Sequence, residues 1–437
     1  MNKHDKHIVI VGAGLVGSLL GIYLLRSGYR VSIFERRSDP RIHNKESGRS
    51  INLALSVRGL ISLEEVGLQD EVEKLIIPMK GRMIHDSQGN TSLQPYGDAG
   101  QAINSVSRIG LNQLMLNRAE EMGARLHFNR TCTLIDLKQT RIDYQDLQGS
   151  GSFQPDYIVG ADGAFSAVRS SMAHTDRFQY QQYYIEHGYK EIDMPPKDGS
   201  FALEPNALHI WPRKSFMLIA LPNLDKSFTC TLFLPFEGDN SFERIHSDKD
   251  LLEFFDKNFV DVRGLIPDLT KQFHKNPTSS LVTIRSYPWV RNNSLLIGDA
   301  AHAIVPFYGQ GMNCGFEDCR IFNATLQQYD HDWEKSMSEY QKGRKNDADA
   351  ISTLAINNFL EMRDKVVDPD FILRKKIEAL MHAQYPDKWI PLYSMVTFQP
   401  EMSYSEALER GLKQDTIMQQ VMKTANIESI WRDLDYS

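Results

Sequence analysis

The stretch HIVIVGAGLVGSLLGIYLLRSGYRVSIFE, residues 7–35, has the order strand, glycine-rich turn, helix and strand. An apolar β-branched run leads into Gly12-x-Gly14-x-x-Gly17, and Glu35 closes the second strand. This is the spacing of the dinucleotide-binding fingerprint, in which Gly12 permits the tight turn, Gly14 lets a pyrophosphate approach, and Gly17 lets the helix pack on the strand. We expect Glu35 to accept a hydrogen bond from a ribose hydroxyl.

A membrane span competes with this prediction for the same residues. Residues 8–25 carry no charge and follow Lys3 and Lys6, as the apolar part of a signal anchor would. However, four glycines within the stretch make a poor uniform helix, and no small-residue cleavage site follows it. The dinucleotide-binding turn is therefore favoured.

A second stretch, LLIGDAAHAIVPFYGQGMNCGFEDC at residues 295–319, points to the same sheet edge. Gly298-Asp299 ends an apolar run, so a buried strand would deliver Asp299 where open α/β sheets bind ligands. Gly311 opens a predicted helix whose free N–H groups would face an electron-rich partner. An ordinary loop before an amphipathic helix explains this stretch equally well when it is taken alone. Asp162 also follows a predicted strand and precedes a helix, and it joins the candidates.

Composition limits the possible partners. A chain of 437 residues should form two or three units with ample apolar content. The net charge of -7 and the absence of a run of five basic residues argue against nucleic acid and against an anionic membrane surface. Cys314 and Cys319 have no second cysteine pair of zinc-site spacing. We therefore expect reduced thiols, no metal site and a cytoplasmic location.

The middle of the chain has a different predicted secondary structure from its start. Residues 207–212, 216–221 and 228–233 read as three strands at hairpin spacing with no helix between them, which predicts an inserted antiparallel sheet. Alternation should place Phe228, Cys230 and Leu232 on one face and Thr229, Thr231 and Phe233 on the other, and one of these faces should cover a ligand pocket.

The last quarter of the chain is predicted to be helical. Residues 333–364 and 415–431 have apolar positions at helical spacing, whereas residues 389–398 read as a loop. The expected fold is α/β: a Rossmann-like nucleotide-binding domain, an inserted antiparallel sheet and a helical C-terminal unit. The expected boundaries are 1–75, 100–175 and 285–330 for the nucleotide-binding domain, 76–99 and 176–284 for the substrate domain, and 331–437 for the C-terminal helical domain.

Further motifs are dispersed over nearly the whole chain. They are GRSINLAL, GRMIH, LQPYG, EPNALHIWP, IALPNLD and IPLYSMVTF. Together with the two glycine-rich stretches and Asp162-Gly163, they resemble the FAD-dependent aromatic hydroxylases of the para-hydroxybenzoate hydroxylase fold, and within that family the members that hydroxylate kynurenine. The resemblance implies that L-kynurenine is converted to 3-hydroxy-L-kynurenine, a step of tryptophan degradation, with bound FAD and with NADPH and O2 as co-substrates.

The resemblance also implies how the chemistry is divided. NADPH reduces the flavin, O2 adds at C4a, and the hydroperoxide delivers its terminal oxygen to the ring carbon ortho to the aniline nitrogen. Because the cofactor carries the hard step, no side chain is expected to act as a catalytic acid or base. Two alternatives stay open, namely hydroxylation of another aromatic acid and a flavoprotein that carries electrons or binds a partner without hydroxylating anything.

The family's binding residues can be carried over to matching positions. The FAD contacts implied are Gly12, Gly14, Gly17, Glu35, Arg36, Ala54, Arg108, Asp162, Gly298, Asp299, Gly311, Met312 and Asn313. The substrate contacts implied are Arg82, Tyr96, Asn358 and Tyr393, with Phe233, Leu208, Met217, Phe307 and Tyr308 around the aromatic ring.

Three positions need separate comment. Tyr308 departs from the family pattern, which has His or Phe there. From the sequence alone, Arg82 could equally be a surface arginine on a ribbon. Arg49 is expected to have a buried role.

The resemblance further implies a cytosolic bacterial form, since eukaryotic members carry a C-terminal membrane anchor and no uncharged stretch of spanning length occurs in the helical region.

Overall fold

The computed structural model of the chain describes residues 6–42, 52–98, 100–364, 368–434 and 436. Arg49 lies outside the described residues. The strands are β1 (His7–Val11), β2 (Arg30–Phe34), β3 (Asn52–Leu55), β4 (Ile76–Met79), β5 (Gly81–His85), β6 (Thr91–Pro95), β7 (Ile103–Ser107), β8 (Arg125–His127), β9 (Thr131–Asp136), β10 (Arg141–Asp146), β11 (Gly149–Phe153), β12 (Tyr157–Gly160), β13 (Gln179–Met194), β14 (Leu208–Arg213), β15 (Phe216–Pro222), β16 (Phe228–Pro235), β17 (Ser279–Tyr287), β18 (Val290–Arg291) and β19 (Ser294–Leu296).

The helices follow the same chain order. They are α1 (Leu15–Arg26), α2 (Val57–Glu65), α3 (Gln69–Glu73), α4 (Arg108–Glu121), α5 (Ala167–Ala173), α6 (Asp248–Asn258), α7 (Leu269–Lys275), α8 (Asp299–His302), α9 (Gly311–Gln328), α10 (Trp333–Asp364), α11 (Pro369–Gln384), α12 (Leu392–Phe398), α13 (Tyr404–Val421) and α14 (Ile427–Ile430). None of the helices in the described part of the chain is both long and apolar enough to cross a membrane.

The chain divides into two compact units. The first unit comprises Met1–Ile76, Asn104–Tyr184 and Val282–Ser352, and the second comprises Ile77–Ile103, Ile185–Leu281 and Thr353–Ser437. The three-domain division expected from the sequence stays a prediction, because compactness alone does not show which segments fold on their own.

A six-stranded sheet forms the centre of the first unit. Its strand order is β18-β19-β12-β1-β2-β8, and the neighbours from β19 to β8 pair in parallel. Ile8, Val9 and Ile10 of β1 are fully buried, as expected for a central strand with both faces covered. Because these strands are parallel, the carboxyl ends of β19, β12, β1 and β2 meet at one edge of the sheet, which is where such folds bind ligands.

The N-terminal stretch does not form a continuous span. It splits into β1 and α1, and α1 has only 12 residues, about 18 Å of helix, against the roughly 30 Å of a bilayer core. The glycine-rich turn between β1 and α1 therefore has the strand and helix context that the fingerprint requires.

A seven-stranded sheet dominates the second unit, with the order β17-β13-β16-β15-β14-β5-β6. β14, β15 and β16 are the three predicted strands, and they pair antiparallel. β5 joins β14 in parallel, and β6 returns antiparallel to β5.

The register of this sheet separates two faces. Leu208 lies opposite Arg82, and Met217 lies opposite both Pro212 and Phe233. Directly opposite residues share a face, so Arg82, Leu208, Met217 and Phe233 all project from the same side, which we call the anchor face. The other side, the core face, bears Trp211, Phe228, Cys230 and Leu232, and these pack against Phe255 of α6 and Leu269 of α7. The alternation predicted for the third strand is therefore confirmed.

Two expectations for the C-terminal region were wrong. Residues 392–398 form α12 instead of a loop, because Pro391 stands directly before the first helical residue, where proline suits a helix start. The helix predicted over 415–431 begins earlier, at Tyr404, and ends at Val421. Asn426 has a φ of 59°, a left-handed conformation that cannot continue a helix, and α14 starts only after it.

Candidate active site

The turn between β1 and α1 has room for an anion. Gly12 has a φ of +106°, and a Cβ atom there would lie 2.5 Å from the Ala161 carbonyl oxygen. A Cβ on Gly17 would lie 1.9 Å from the Gly12 oxygen, so neither position tolerates a side chain. A Cβ atom on Gly14 would have no heavy atom within 4 Å, and no side chain caps the start of α1. Its first N–H groups are therefore available to a pyrophosphate.

Glu35 lies at the end of β2 beside this turn. Its Oε2 accepts a hydrogen bond from the Ala13 N–H at 3.0 Å, and its Oε1 accepts from both Arg37 N and Arg37 Nε at 3.0 Å. The residue is 7% exposed. Each carboxylate oxygen has two lone pairs, so Glu35 keeps acceptor capacity for a ribose hydroxyl after these bonds are counted. Arg36, the next residue, is exposed.

Asp162, at the end of β12, has one occupied and one open oxygen. Oδ2 accepts a hydrogen bond from Ala167 N at 2.7 Å at the start of α5. Oδ1 is buried and has no hydrogen-bond partner among the described residues. Burial raises the pKa of Asp162 more than hydrogen bonds from Ser166 and the backbone lower it. A buried oxygen of this kind calls for a donor from a ligand.

Gly298, the residue before Asp299, is fixed by a hydrogen bond to Asp318. The Gly298 N–H donates to Asp318 Oδ2 at 3.1 Å, and His302 Nε2 lies 2.7 Å from the same oxygen. Asp299 is reached by solvent yet recessed among protein atoms, and this burial raises its pKa, against the charges of His302 and Arg108. The Asp299 carboxylate therefore faces an opening at the sheet edge, with Arg108 at the start of α4 nearby.

The start of α9 presents backbone rather than side-chain groups. The Asn313 side chain accepts from Ser56 N at 2.9 Å and donates to the carbonyl oxygens of Ala54 and Gly309 at 2.9 and 2.8 Å. It thus ties α9 to β3 and has no spare donor. The N–H groups of Gly311, Met312 and Asn313 open the helix without a side-chain cap. A cofactor contact at Asn313 would therefore use its backbone.

A buried charge network supports this region, and the sequence did not reveal it. Arg344 of α10 donates from Nε to Asp318 Oδ1 at 2.7 Å, and Arg58 of α2 donates to Glu317 Oε1 at 2.8 Å. Arg344 Nη2 lies 2.6 Å from Glu317 Oε2, although its N–H direction misses that oxygen. Burial raises the pKa of Asp318, but His302 and Arg344 outweigh this and hold it at about 2.

His302, Cys314 and Asp318 lie close enough together to suggest a metal site. However, the Arg344 guanidinium already contacts both Cys314 Sγ, at 3.3 Å, and Asp318. Burial also raises the pKa of the Cys314 thiol well above its ordinary value, whereas a metal ligand must be a thiolate. These contacts favour an ion-pair network over a metal centre.

Arg82 is the outstanding feature of the second unit. Its Nε is buried without a hydrogen-bond partner, and no carboxylate in the described part of the chain forms an ion pair with it. Its guanidinium carbon lies 4.3 Å from the Tyr393 ring centroid and 5.6 Å from that of Tyr96. These two rings stack at 5.4 Å with 13° between their planes. Burial lowers the pKa of Arg82, but the two tyrosines more than offset this, so the guanidinium stays charged.

Two hydroxyl groups of the second unit are buried without a hydrogen-bond partner among the described residues. Tyr96 is 5% exposed, and its hydroxyl has no hydrogen-bond partner among the described residues. Thr397 is fully buried, and its Oγ1 is equally unpartnered within the described residues. Thr397 lies four residues after Tyr393 in α12 and so shares its helical face. The sequence analysis missed Thr397 because it treated this segment as a loop, although the spacing to Tyr393 would have indicated it.

The remaining expected substrate residues divide between the two units. Asn358 of α10 is 9% exposed, and its Nδ2 lies 3.3 Å from Met362 Sδ. Leu208, Met217 and Phe233 line the anchor face of the second unit. Phe307 and Tyr308 instead belong to the first unit, where they are buried in a 3-10 turn at Pro306–Tyr308. The first unit also contains every expected cofactor residue.

Comparison with known proteins agrees with this geometry. A family model described as FAD binding domain matches residues 5–350. A kynurenine 3-monooxygenase of Cytophaga hutchinsonii is 48% identical over 98% of this chain and 96% of its own length. One of Christiangramia forsetii is likewise 48% identical over 98% of this chain and 96% of its own length. Among solved structures, a tetrameric form of 2-methyl-3-hydroxypyridine-5-carboxylic acid oxygenase has a TM-score of 0.69 at 20% identity, covering 86% of this chain and 95% of the other.

Proposed function

Because the chain belongs to the kynurenine 3-monooxygenase family of FAD-binding proteins, we propose that it hydroxylates L-kynurenine to 3-hydroxy-L-kynurenine with FAD, NADPH and O2. Bound FAD supplies the chemistry that activates oxygen. The residues of this chain have the tasks of binding the cofactor, orienting the aromatic ring and excluding water.

The first unit fits FAD through features that only a ligand would complete. The uncapped first turn of α1 suits the pyrophosphate, and Glu35 suits the adenosine ribose. The open Oδ1 of Asp162 and the recessed Asp299 suit hydroxyl donors of the cofactor. The uncapped N-terminus of α9 suits the electron-rich edge of the flavin ring.

The observation that carries the proposed substrate is the guanidinium of Arg82, whose Nε is buried without a hydrogen-bond partner and which has no carboxylate partner among the described residues. A buried cation without an anionic partner costs several kcal/mol, and so does a substrate carboxylate that loses its water. Each group offsets the cost of the other when a carboxylate binds beside Arg82. Burial raises the pKa of Tyr96 well above its usual value of 10, so its phenol remains a donor to that carboxylate.

The apolar part of kynurenine also has a counterpart. Leu208, Met217 and Phe233 project from the anchor face on which Arg82 lies, so they can contact an aromatic ring attached to the anchored carboxylate. An aniline already donates electrons into its ring. A catalytic base is therefore unnecessary, and apolar walls that exclude water suffice.

A substrate panel tests the proposal. Purified protein with bound FAD should oxidise NADPH faster when L-kynurenine is added, and the hydroxylated product should accumulate. Kynuramine, the decarboxylated analogue, keeps the aniline and the ammonium but cannot pair with Arg82, so it should stimulate poorly. Anthranilate keeps a carboxylate on the ring and tests the alternative of another aromatic acid. Equal stimulation by kynuramine, or hydroxylation of anthranilate alone, would contradict the proposed substrate.

A further inference from the structure

Two buried histidines on the core face form a continuous hydrogen-bonded chain that the proposed reaction does not use. His85 Nε2 lies 2.8 Å from His209 Nδ1, and His85 Nδ1 lies 2.6 Å from Asp261 Oδ2. His85 and His209 are 1% and 2% exposed. The His85 ring also stacks on Trp211 with a centroid distance of 4.0 Å. Each nitrogen therefore has a defined partner.

The carbonyl group of Glu204 determines which nitrogen of His209 is the donor. His209 Nε2 lies 2.8 Å from the Glu204 carbonyl oxygen, which can only accept, so Nε2 carries a proton. Burial lowers the pKa of His209 to about 4, and the ring is neutral. Its Nδ1 is then an acceptor. Nε2 of His85 must therefore carry the proton between the two rings.

Asp261 fixes the other end of the chain. Trp211 Nε1 donates to both carboxyl oxygens of Asp261 at 3.0 Å. Burial raises the pKa of Asp261, but the hydrogen bonds from His85 and Trp211 outweigh it, and the pKa is lowered. Asp261 thus contacts both His85 and Trp211, and His85 has a hydrogen-bond partner at each ring nitrogen.

The other charged side chains near His85 form hydrogen bonds with groups other than its ring. Arg213 Nη1 donates to the His85 carbonyl oxygen at 3.0 Å, and Nη2 donates to the Asp86 carbonyl oxygen at 2.8 Å. Glu204 contributes its carbonyl group to His209, while its carboxylate accepts from Asn206 N at 3.0 Å. Asp261 is therefore the acidic residue that contacts the His85 ring.

The hydrogen bond between the two histidines joins β5 to β14, which pair in parallel. β5 meets β14 with Arg82 opposite Leu208 and Met83 opposite His209. A slip of one residue would move Arg82 from the anchor face to the core face, because side chains alternate along a strand. His85 is on β5 and His209 is on β14, so their hydrogen bond forms only in the observed register.

We propose that His85, held by hydrogen bonds between Asp261 and His209, is a positioning residue that fixes the register of β5 on β14 and so aims Arg82 at the substrate carboxylate. The inference rests on the proposed function only in naming that carboxylate. The register that His85 fixes belongs to the protein itself.

The positioning is tested by binding. His85→Gln and Asp261→Asn should each weaken kynurenine binding about tenfold while the FAD content stays unchanged. His274→Gln is the matched control, since His274 lies 2.8 Å from Asp248 in an exposed pair of the same unit. A lower melting temperature with an unchanged Kd for kynurenine in both variants would mean that the chain of histidines only stabilises the fold, and would overturn the inference.

A wild-type protein that binds no kynurenine would refute the proposed function. The inference would fall with it, since no carboxylate would remain to be aimed at. A wild-type protein that binds kynurenine, with the same Kd in His85→Gln and Asp261→Asn, would overturn the inference alone and leave the proposed function standing. The two failures are therefore distinguishable.

Discussion

The guanidinium carbon of Arg82 lies 4.3 Å from the centre of the Tyr393 ring, although the two residues are far apart in the sequence. The contact joins β5 to α12 within the second unit. A cation over an aromatic face is stabilised by about 0.5–2 kcal/mol, less than the cost of leaving it without an anion in a buried site. The tyrosine ring therefore orients Arg82 but does not replace the missing carboxylate.

Replacing Arg82 by Met removes this charge and keeps most of the bulk of the side chain. Kynurenine should then bind at least about tenfold more weakly, a loss of about 1.4 kcal/mol. FAD should stay bound, and more of the NADPH consumed should end as hydrogen peroxide. Flavin absorbance titrated with kynurenine measures the first effect, and the ratio of peroxide to product measures the second.

Lys271→Met is a suitable control for Arg82→Met. Lys271 is exposed on α7, the helix that packs against the core face, so this variant loses a positive charge away from the anchor face. Unchanged affinity and coupling in Arg82→Met would show that the carboxylate is held elsewhere.

Thr397→Val tests the hydroxyl group that the sequence analysis missed. Valine has nearly the same shape as threonine, so the fold should be kept while one buried hydroxyl group is lost. The KM for kynurenine should rise about three- to tenfold, in line with about 0.5–1.5 kcal/mol for one hydrogen bond. Thr416→Val is the control, since Thr416 donates to the Leu412 carbonyl oxygen on an exposed part of α13. If Thr397→Val has the wild-type KM, its hydroxyl does not contact the substrate.

Asp299→Ala tests the cofactor placement. A hydrogen bond to a charged group contributes about 1.5–3 kcal/mol, so the variant should emerge from gel filtration in dilute buffer largely without FAD. The ratio of flavin to protein absorbance gives the occupancy. Asp332→Ala, on the loop before α10, removes an acid of the same unit and should keep its flavin. Full occupancy in Asp299→Ala would refute the placement of the cofactor at this edge.

Acid stability tests the network behind Gly298. The pKa of Asp318 is about 2 in the folded protein against an ordinary 3.8, so the folded state binds this proton more weakly than the unfolded state does. The stabilisation is complete above about pH 4 and is lost as the pH falls towards 2. It amounts to something on the order of 2 kcal/mol.

The measurement is urea unfolding of the flavin-loaded protein at a series of pH values. Asp318→Asn cannot titrate, so its free energy of unfolding should fall less steeply than that of the wild type in this acidic range. Parallel curves for the two proteins would show that Asp318 does not contribute through its charge.

The sequence predicted those features that depend on neighbours along the chain. The turn of Gly12, Gly14 and Gly17 was predictable because the spacing of the three glycines between a strand and a helix is itself the fingerprint. The faces of β16 were predictable because alternation along a strand is obligatory. These local rules gave the cofactor edge of the fold without any knowledge of its tertiary contacts.

Features that depend on distant contacts escaped the sequence analysis. The bond of Arg344 to Asp318 and that of His85 to His209 join elements that no local pattern relates. The side chain of Asn313 is used to tie α9 to β3, which its place in a family motif does not reveal. The helix at 392–398 was also missed, because this segment was read as a loop.

Product analysis with isotopically labelled oxygen tests the central claim most directly. The flavin-loaded protein is supplied with L-kynurenine, NADPH and oxygen-18 gas, and the products are identified by mass spectrometry. The proposed function predicts 3-hydroxy-L-kynurenine that carries a single labelled oxygen atom at the new hydroxyl group. NADPH consumption that yields only labelled hydrogen peroxide, with L-kynurenine recovered unchanged, would contradict it.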